Sequence, residues 1–128
     1  MGYQYSFEKL EVWQDARKFV SEIYLTTKPF PSDEKYSLTS QLCRAAISIV
    51  SNIAEGVSRS SSKEKIRFIE VSYGSLMEVY CQLCIALDLK YITANELNDL
   101  KLSIDKISNK LTALVKAYNR MDNNKKTI

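Results

Sequence analysis

The sequence contains no histidine. This removes the commonest general base near neutral pH and the commonest metal ligand. Glycine and proline are scarce, at 3 and 2 residues in 128, so the chain has few of the breakers that a many-stranded fold or a Gly-rich phosphate loop requires. The three cysteines, Cys43, Cys81 and Cys84, are too few and too oddly numbered for a disulfide framework, which points to a reducing compartment. Cys81 and Cys84 have the spacing of half a zinc or redox site, but they sit inside an apolar helical pattern. With no partner ligands they cannot complete a four-ligand shell, and they read as buried structural thiols. No metal or cofactor is expected. No apolar run approaches the about 20 residues of a membrane span, and no basic-then-apolar leader opens the chain. Met1-Gly2 with Ser6 has the outline of a myristoylation signal, but so short a match does not outweigh the cytoplasmic reading.

What is present is ordinary globular material: 45% hydrophobic and 26% charged residues, with a formal net charge of +3. That length and mix suit one domain with its own core. The mild basicity permits an anionic partner without requiring one.

Four segments carry apolar residues at alternating spacings of three and four, the period of an amphipathic helix. The first spans about residues 7–28, with Ser6 as N-cap and Trp13, Ala16, Val20, Ile23 and Thr27 as its seam. It must stop near Lys28, because Phe30 is held extended between Pro29 and Pro31. The second spans about 33–56, capped by Ser32, with Leu42, Ala46, Ile49 and Ile53 inward. Gly56 stands where a left-handed stop is expected. The third spans about 62–90, opened by Ser61 and Glu64 at capping-box spacing. Its seam is Ile66, Ile69, Tyr73, Leu76, Tyr80, Leu83 and Leu87. The fourth spans about 94–121, opened by Thr93 and Glu96, with Leu97, Leu100, Ile104, Ile107, Leu111, Leu114, Tyr118 and Met121 inward. These patterns predict an all-α, antiparallel up-down four-helix bundle. It forms a single domain over 1–128, ordered from about 7 to 121, with a flexible basic tail at 122–128. A coiled-coil oligomer is the structural alternative.

Two polar constellations stand out. Gln41, Arg44, Ser48, Asn52 and Glu55 line one side of the second helix, with Glu78 at mid-height on the third. They read as a hydrogen-bonded structural network or, more sharply, as a binding surface. Asn52, Glu55 and Arg59 are expected to fix the corner between the two helices, with Arg44 or Glu78 pairing across. The second constellation is basic: Arg59, Lys63, Lys65 and Arg67 surround the start of the third helix, where free amides and nearby cations favour an anion such as a backbone phosphate. Lys116 and Arg120 on the fourth helix add to it if they lie alongside. No nucleophile–base pair or acidic metal cluster accompanies either group, so an enzyme is not expected. Tyr3, Tyr5 and Phe7 alternate with polar residues. They read as covering the end of the bundle or joining a neighbouring chain, with stacking on bases as the alternative. Ile85, Leu87, Leu89, Tyr91 and Ile92 exceed what one seam can bury, so a homo-oligomer is expected.

Several blocks also resemble a known family. They are Leu10-Glu11-Val12-Trp13, Phe30-Pro31 with Glu34 and Tyr36, Gln41 to Ser48, and Ser51-Asn52-Ile53-Ala54-Glu55-Gly56. Arg59, Lys63, Glu64, Phe68 and Gly74-Ser75-Leu76-Met77-Glu78 continue the likeness. Together, over about residues 7–120, they resemble the four-helix-bundle proteins encoded in intervening sequences of bacterial 23S ribosomal RNA genes. The resemblance implies a bacterial four-helix-bundle protein that assembles as a homopentamer. It also implies an accessory role with RNA or DNA, because a member of the same fold group serves diversity-generating retroelements by binding nucleic acid and a reverse transcriptase through basic surfaces. The alternative reading is a protein-interaction or structural scaffold with no nucleic-acid binding.

Overall fold

Each of the four apolar seams forms a helix in the computed structural model of the chain, which describes residues 2–126. The helices are α1 (Glu11–Thr27), α2 (Leu38–Val57), α3 (Ser62–Asp88) and α4 (Ala94–Lys126). Among the described residues there is no strand. Gln41 and Ser48 of α2 meet Gln82 and Ser75 of α3, while Glu11 and Glu22 of α1 meet Lys110 and Ser103 of α4. In both pairs the numbers run in opposite directions, so neighbouring helices are antiparallel. α4 closes the bundle against α1. Phe19, Ile23, Leu42, Ile49, Ile53, Ile69, Leu76, Leu83, Ile107 and Leu111 are fully buried between the four helices. Each such side chain contributes about 1.5–3 kcal/mol relative to exposure.

Several local expectations need correction. Ser6 does not cap a long first helix: it opens a short 3-10 turn, Ser6–Lys9, and Leu10 is extended (φ −79°, ψ 123°) before α1 starts. The turn is closed when the Tyr5 N–H donates to the Glu8 carboxylate at 2.7 Å. The break shifts the buried face of α1. Val12 and Phe19 enter the core, while Trp13 and Val20 pack half-buried on its flank. Ser32 likewise opens only a 3-10 turn, Ser32–Glu34, and α2 begins at Leu38. Two contacts hold this segment across the bundle end. Phe30 packs on Tyr91 with ring centroids 5.2 Å apart, and the Tyr91 hydroxyl donates to Glu34 at 2.8 Å.

Gly56 does not end α2 in a left-handed conformation. It lies inside the helix, buried against α3, and no glycine among the described residues has positive φ. The left-handed position belongs to Lys90 (φ 64°), at the end of α3. There the Tyr91 and Lys90 amides donate to Ala86 and Leu87 carbonyls at 2.9 Å, a Schellman closure. This closure turns the chain inward and reduces the expected apolar excess. Ile92 is buried and Leu87 and Tyr91 are partly covered, which leaves Ile85 and Leu89 exposed. Both expected helix starts after the second loop hold: the Glu64 amide donates to Ser61 Oγ, and Thr93 and Glu96 exchange reciprocal bonds at 3.0 and 3.1 Å. α4 runs on to Lys126, past its expected end near Met121, and the last two residues of the expected tail lie outside the described ones. Cys81, expected to be buried, is exposed, because it stands on the outer side of α3.

Candidate nucleic-acid interface

The end of α2, the start of α3 and the last turns of α4 meet at one end of the bundle. Lys65 Nζ donates to the Val57 carbonyl at 2.9 Å and stands 5.6 Å from the centre of the Tyr118 ring. It therefore satisfies one of the orphan carbonyls at the C-terminus of α2. Burial pushes the Tyr118 phenol above its usual pKa. Arg59 forms an exposed pair with Glu55 at 3.4 Å and lies over Phe68, 4.6 Å from the ring centre; Arg67 approaches the same ring at 5.6 Å. The four cations that lie close together in sequence are thus divided. Lys65 and Arg59 serve the corner, whereas Lys63 and Arg67 line a groove of about 710 Å³ between α3 and α4.

That groove also holds Ser61, Asn119 and the acids Glu64, Glu70 and Asp122. Its lining is of mixed sign, so its cations are separate points rather than a continuous positive surface. Lys116 lies further down the α3–α4 boundary, beside Glu70 and Tyr73, and Arg120 is exposed one turn beyond it. Among the described residues, no ion pair involves Lys63, Arg67, Lys116 or Arg120. The pairs formed by α4 include Lys101–Asp105, Lys106–Asp15 and Lys110 with Glu11 and Asp15.

The polar stripe of α2 faces the crevice with α3. Ser48 and Ser75 hydroxyls share a 2.8 Å hydrogen bond, and Asn52 donates to the Ser48 carbonyl and hydroxyl. Below them the buried Ser72 hydroxyl donates to the Ile49 carbonyl at 2.8 Å. At the other end Gln82 donates to Gln41 at 3.1 Å and to Glu78 at 3.2 Å. Gln82 Oε1 is buried without a hydrogen-bond partner among the described residues. Among the described residues, the cross-helix ion pair expected of Arg44 or Glu78 does not form: Arg44 is exposed, Glu55 turns to Arg59 just past the end of its own helix, and neutral groups make the crossing. Sequence spacing missed Gln82 and Ser72 because one polar residue within an apolar seam gives no periodic signal. It also missed the contact of Phe68 with both arginines and with Gly56. No group of His, Cys, Asp or Glu among the described residues could hold a metal ion, and no helix is long and apolar enough to cross a membrane.

The sequence matches the 23S rRNA-intervening sequence protein family over residues 8–113, from the turn before α1 into the second half of α4. The chain belongs to that family. The fold of this family member is similar to that of a protein of unknown function from the S23 ribosomal protein family of Bacteroides thetaiotaomicron. The TM-score is 0.73 at 19% identity, covering 82% of this chain and 98% of the other. A likeness at that identity concerns the fold alone. Among curated proteins, none matches the chain. Gln41, Arg44, Ser48, Asn52, Glu55, Glu78, Arg59, Lys63, Lys65 and Arg67 fall within the family span, whereas Lys116, Arg120 and the aromatic residues 3, 5 and 7 fall outside it.

Proposed function

We propose that this family member is a non-enzymatic accessory protein that binds RNA by its phosphate backbone and acts as a homo-oligomer. The observation that carries the reading is a set of exposed, separately placed cations, Lys63 and Arg67 on α3 with Lys116 and Arg120 on α4. They stay outside the ion pairs that engage Lys101, Lys106 and Lys110. Separate point charges suit phosphates, which position a nucleic acid without reading its sequence. Repetition of this weak site around an oligomer raises its avidity through effective concentration. Family membership links the protein to ribosomal RNA genes and supports RNA as the ligand.

A second reading, a self-assembling scaffold, is favoured by the outer face of α2 and α3. Ile47, Val71 and Ile85 are 44–48% exposed there. Gly74 lies among them with nothing within 4 Å of a β-carbon position. Ultraviolet crosslinking of the native protein in cells, followed by peptide mass spectrometry and RNA sequencing, separates the two. The proposed function expects RNA adducts on peptides from the start of α3 and the end of α4. An intact oligomer with no RNA adduct supports the scaffold.

A further inference from the structure

Four aromatic side chains form a continuous ladder leading into α1. Tyr3 meets Tyr5 edge-on at 5.1 Å, Tyr5 is parallel to Phe7 at 6.3 Å, and Phe7 meets Trp13 edge-on at 5.0 Å. The Arg17 guanidinium caps the last rung, 5.5 Å from the Trp13 ring centre. Only the inner rungs are covered: Tyr3 is 81% exposed and Tyr5 61%. Rings of this size ordinarily contribute most when buried, so the fold of one chain does not account for two tyrosines held outward in an ordered stack. Beside the ladder runs a groove of about 480 Å³ lined by Gln4, Gln14, Arg17, Lys18 and Ser21, along with Glu8 and Trp13. Glu8 is already engaged, since its carboxylate accepts the Tyr5 amide and its carbonyl accepts the Gln14 side-chain amide.

We propose that this ladder is a stacking platform for an unpaired base of single-stranded RNA, with Arg17 and Lys18 meeting the adjoining phosphates. The inference rests on the RNA reading above and adds the form of RNA. Flat rings beside two cations and two amides match a nucleotide, which offers a π-face and an anion together. A purely apolar occupant would leave both cations unmatched. The ladder stands at the same end of the bundle as the phosphate cluster. Lys110 ties α4 to Glu11 at the start of α1, and the later turns carrying Lys116 and Arg120 continue past that level. A strand held by its phosphates on the α3–α4 side can therefore lay an unpaired base on the α1 side.

Trp13 is the single tryptophan, so its fluorescence reports on this site alone. The full-length protein is titrated at low salt with a short unstructured uridine oligonucleotide and with duplex RNA of equal length. The expected result is quenching of Trp13 by the single strand and tighter binding of it than of the duplex. Tyr3→Ala with Tyr5→Ala should weaken single-strand binding about tenfold and leave duplex binding unchanged; Tyr3→Phe with Tyr5→Phe should retain both. Both tyrosines are exposed, so the variants fold. Equal binding of the two RNAs, unaffected by the alanines but weakened by Lys63→Gln with Arg67→Gln, would overturn the platform and leave the RNA reading intact. Failure to bind either RNA would overturn both. Trp13 emission that changes with protein concentration in the absence of RNA, and stops doing so in the alanine variant, would show the ladder covered by a second copy and also overturn the platform.

Discussion

A β-carbon on Gly56 would stand 3.0 Å from Cβ of Phe68, with Ile69 Cδ1 and the Lys65 carbonyl both 3.2 Å away. α2 and α3 thus cross closely in the last turn of α2, where a β-carbon would crowd Phe68, Ile69 and the Lys65 carbonyl. Phe68 is held there beneath Arg59 and Arg67. The crossing sets where the polar crevice ends and the basic end begins. Gly56→Ala should therefore destabilise the protein by about 1–2 kcal/mol, since overpacking outweighs the gain in helix propensity. Gly74→Ala, with nothing within 4 Å, should stabilise the monomer by about 1 kcal/mol. Urea denaturation of the two variants beside wild type checks the contrast. If the outer α2–α3 face joins two copies, Gly74→Ala also weakens assembly in sedimentation.

The cations at the basic end should divide in the same way. Lys65→Met removes the hydrogen bond to Val57 and should cost about 1 kcal/mol of stability. Lys63→Gln should leave the melting temperature within a degree or so, because an exposed side chain outside any such contact contributes little. Binding should respond in the opposite order, with Lys63→Gln weakening RNA affinity more than Lys65→Met. Calorimetric melting and an RNA-binding titration on the same preparations test both halves.

The bundle itself was legible because apolar residues recur at helical spacing through all four helices, and Ser61, Thr93 and their paired glutamates mark real helix starts. The first two starts were misplaced for a physical reason: a serine before acidic residues signals equally well a single 3-10 turn. Whether the turn continues depends on distant partners such as Tyr91, which periodicity does not display. The candidate site was only half legible. Arg59, Lys63, Lys65 and Arg67 lie close together in sequence, but a helix points residues two apart in different directions. Lys65 consequently reaches back to α2 while Lys63 and Arg67 face the groove. Gly56 was noticed for the wrong property. Its lack of a β-carbon serves a close crossing, not a left-handed turn.

Asp15 supplies a pH dependence whose direction is set by its partners. Burial alone would raise its pKa, but hydrogen bonds and charge from Lys110 and Lys106 outweigh this and leave it below the ordinary carboxylate value. A carboxylate with a depressed folded-state pKa stabilises the fold above its unfolded value, near 3.9. That contribution disappears as pH falls through the lower folded-state value. Asp15→Asn should lower stability by about 1 kcal/mol at neutral pH. The gap from wild type should stay constant down to about pH 5 and close below about pH 4. Melting temperatures across that range provide the check; a gap that widens on acidification contradicts the assignment.

The most direct test of the central claim is RNA affinity at two salt concentrations, measured on wild type and on a variant carrying Lys63→Gln, Arg67→Gln, Lys116→Gln and Arg120→Gln. Phosphate contacts from these four cations together with Arg17 and Lys18 predict, on a single strand, a slope of log affinity against log salt of about −4 per chain, since each contact releases about 0.7 of a counterion. The variant should bind more weakly on every RNA tried and lose most of that slope. Absence of binding at low salt, or binding whose strength and slope survive the four substitutions, would contradict the account.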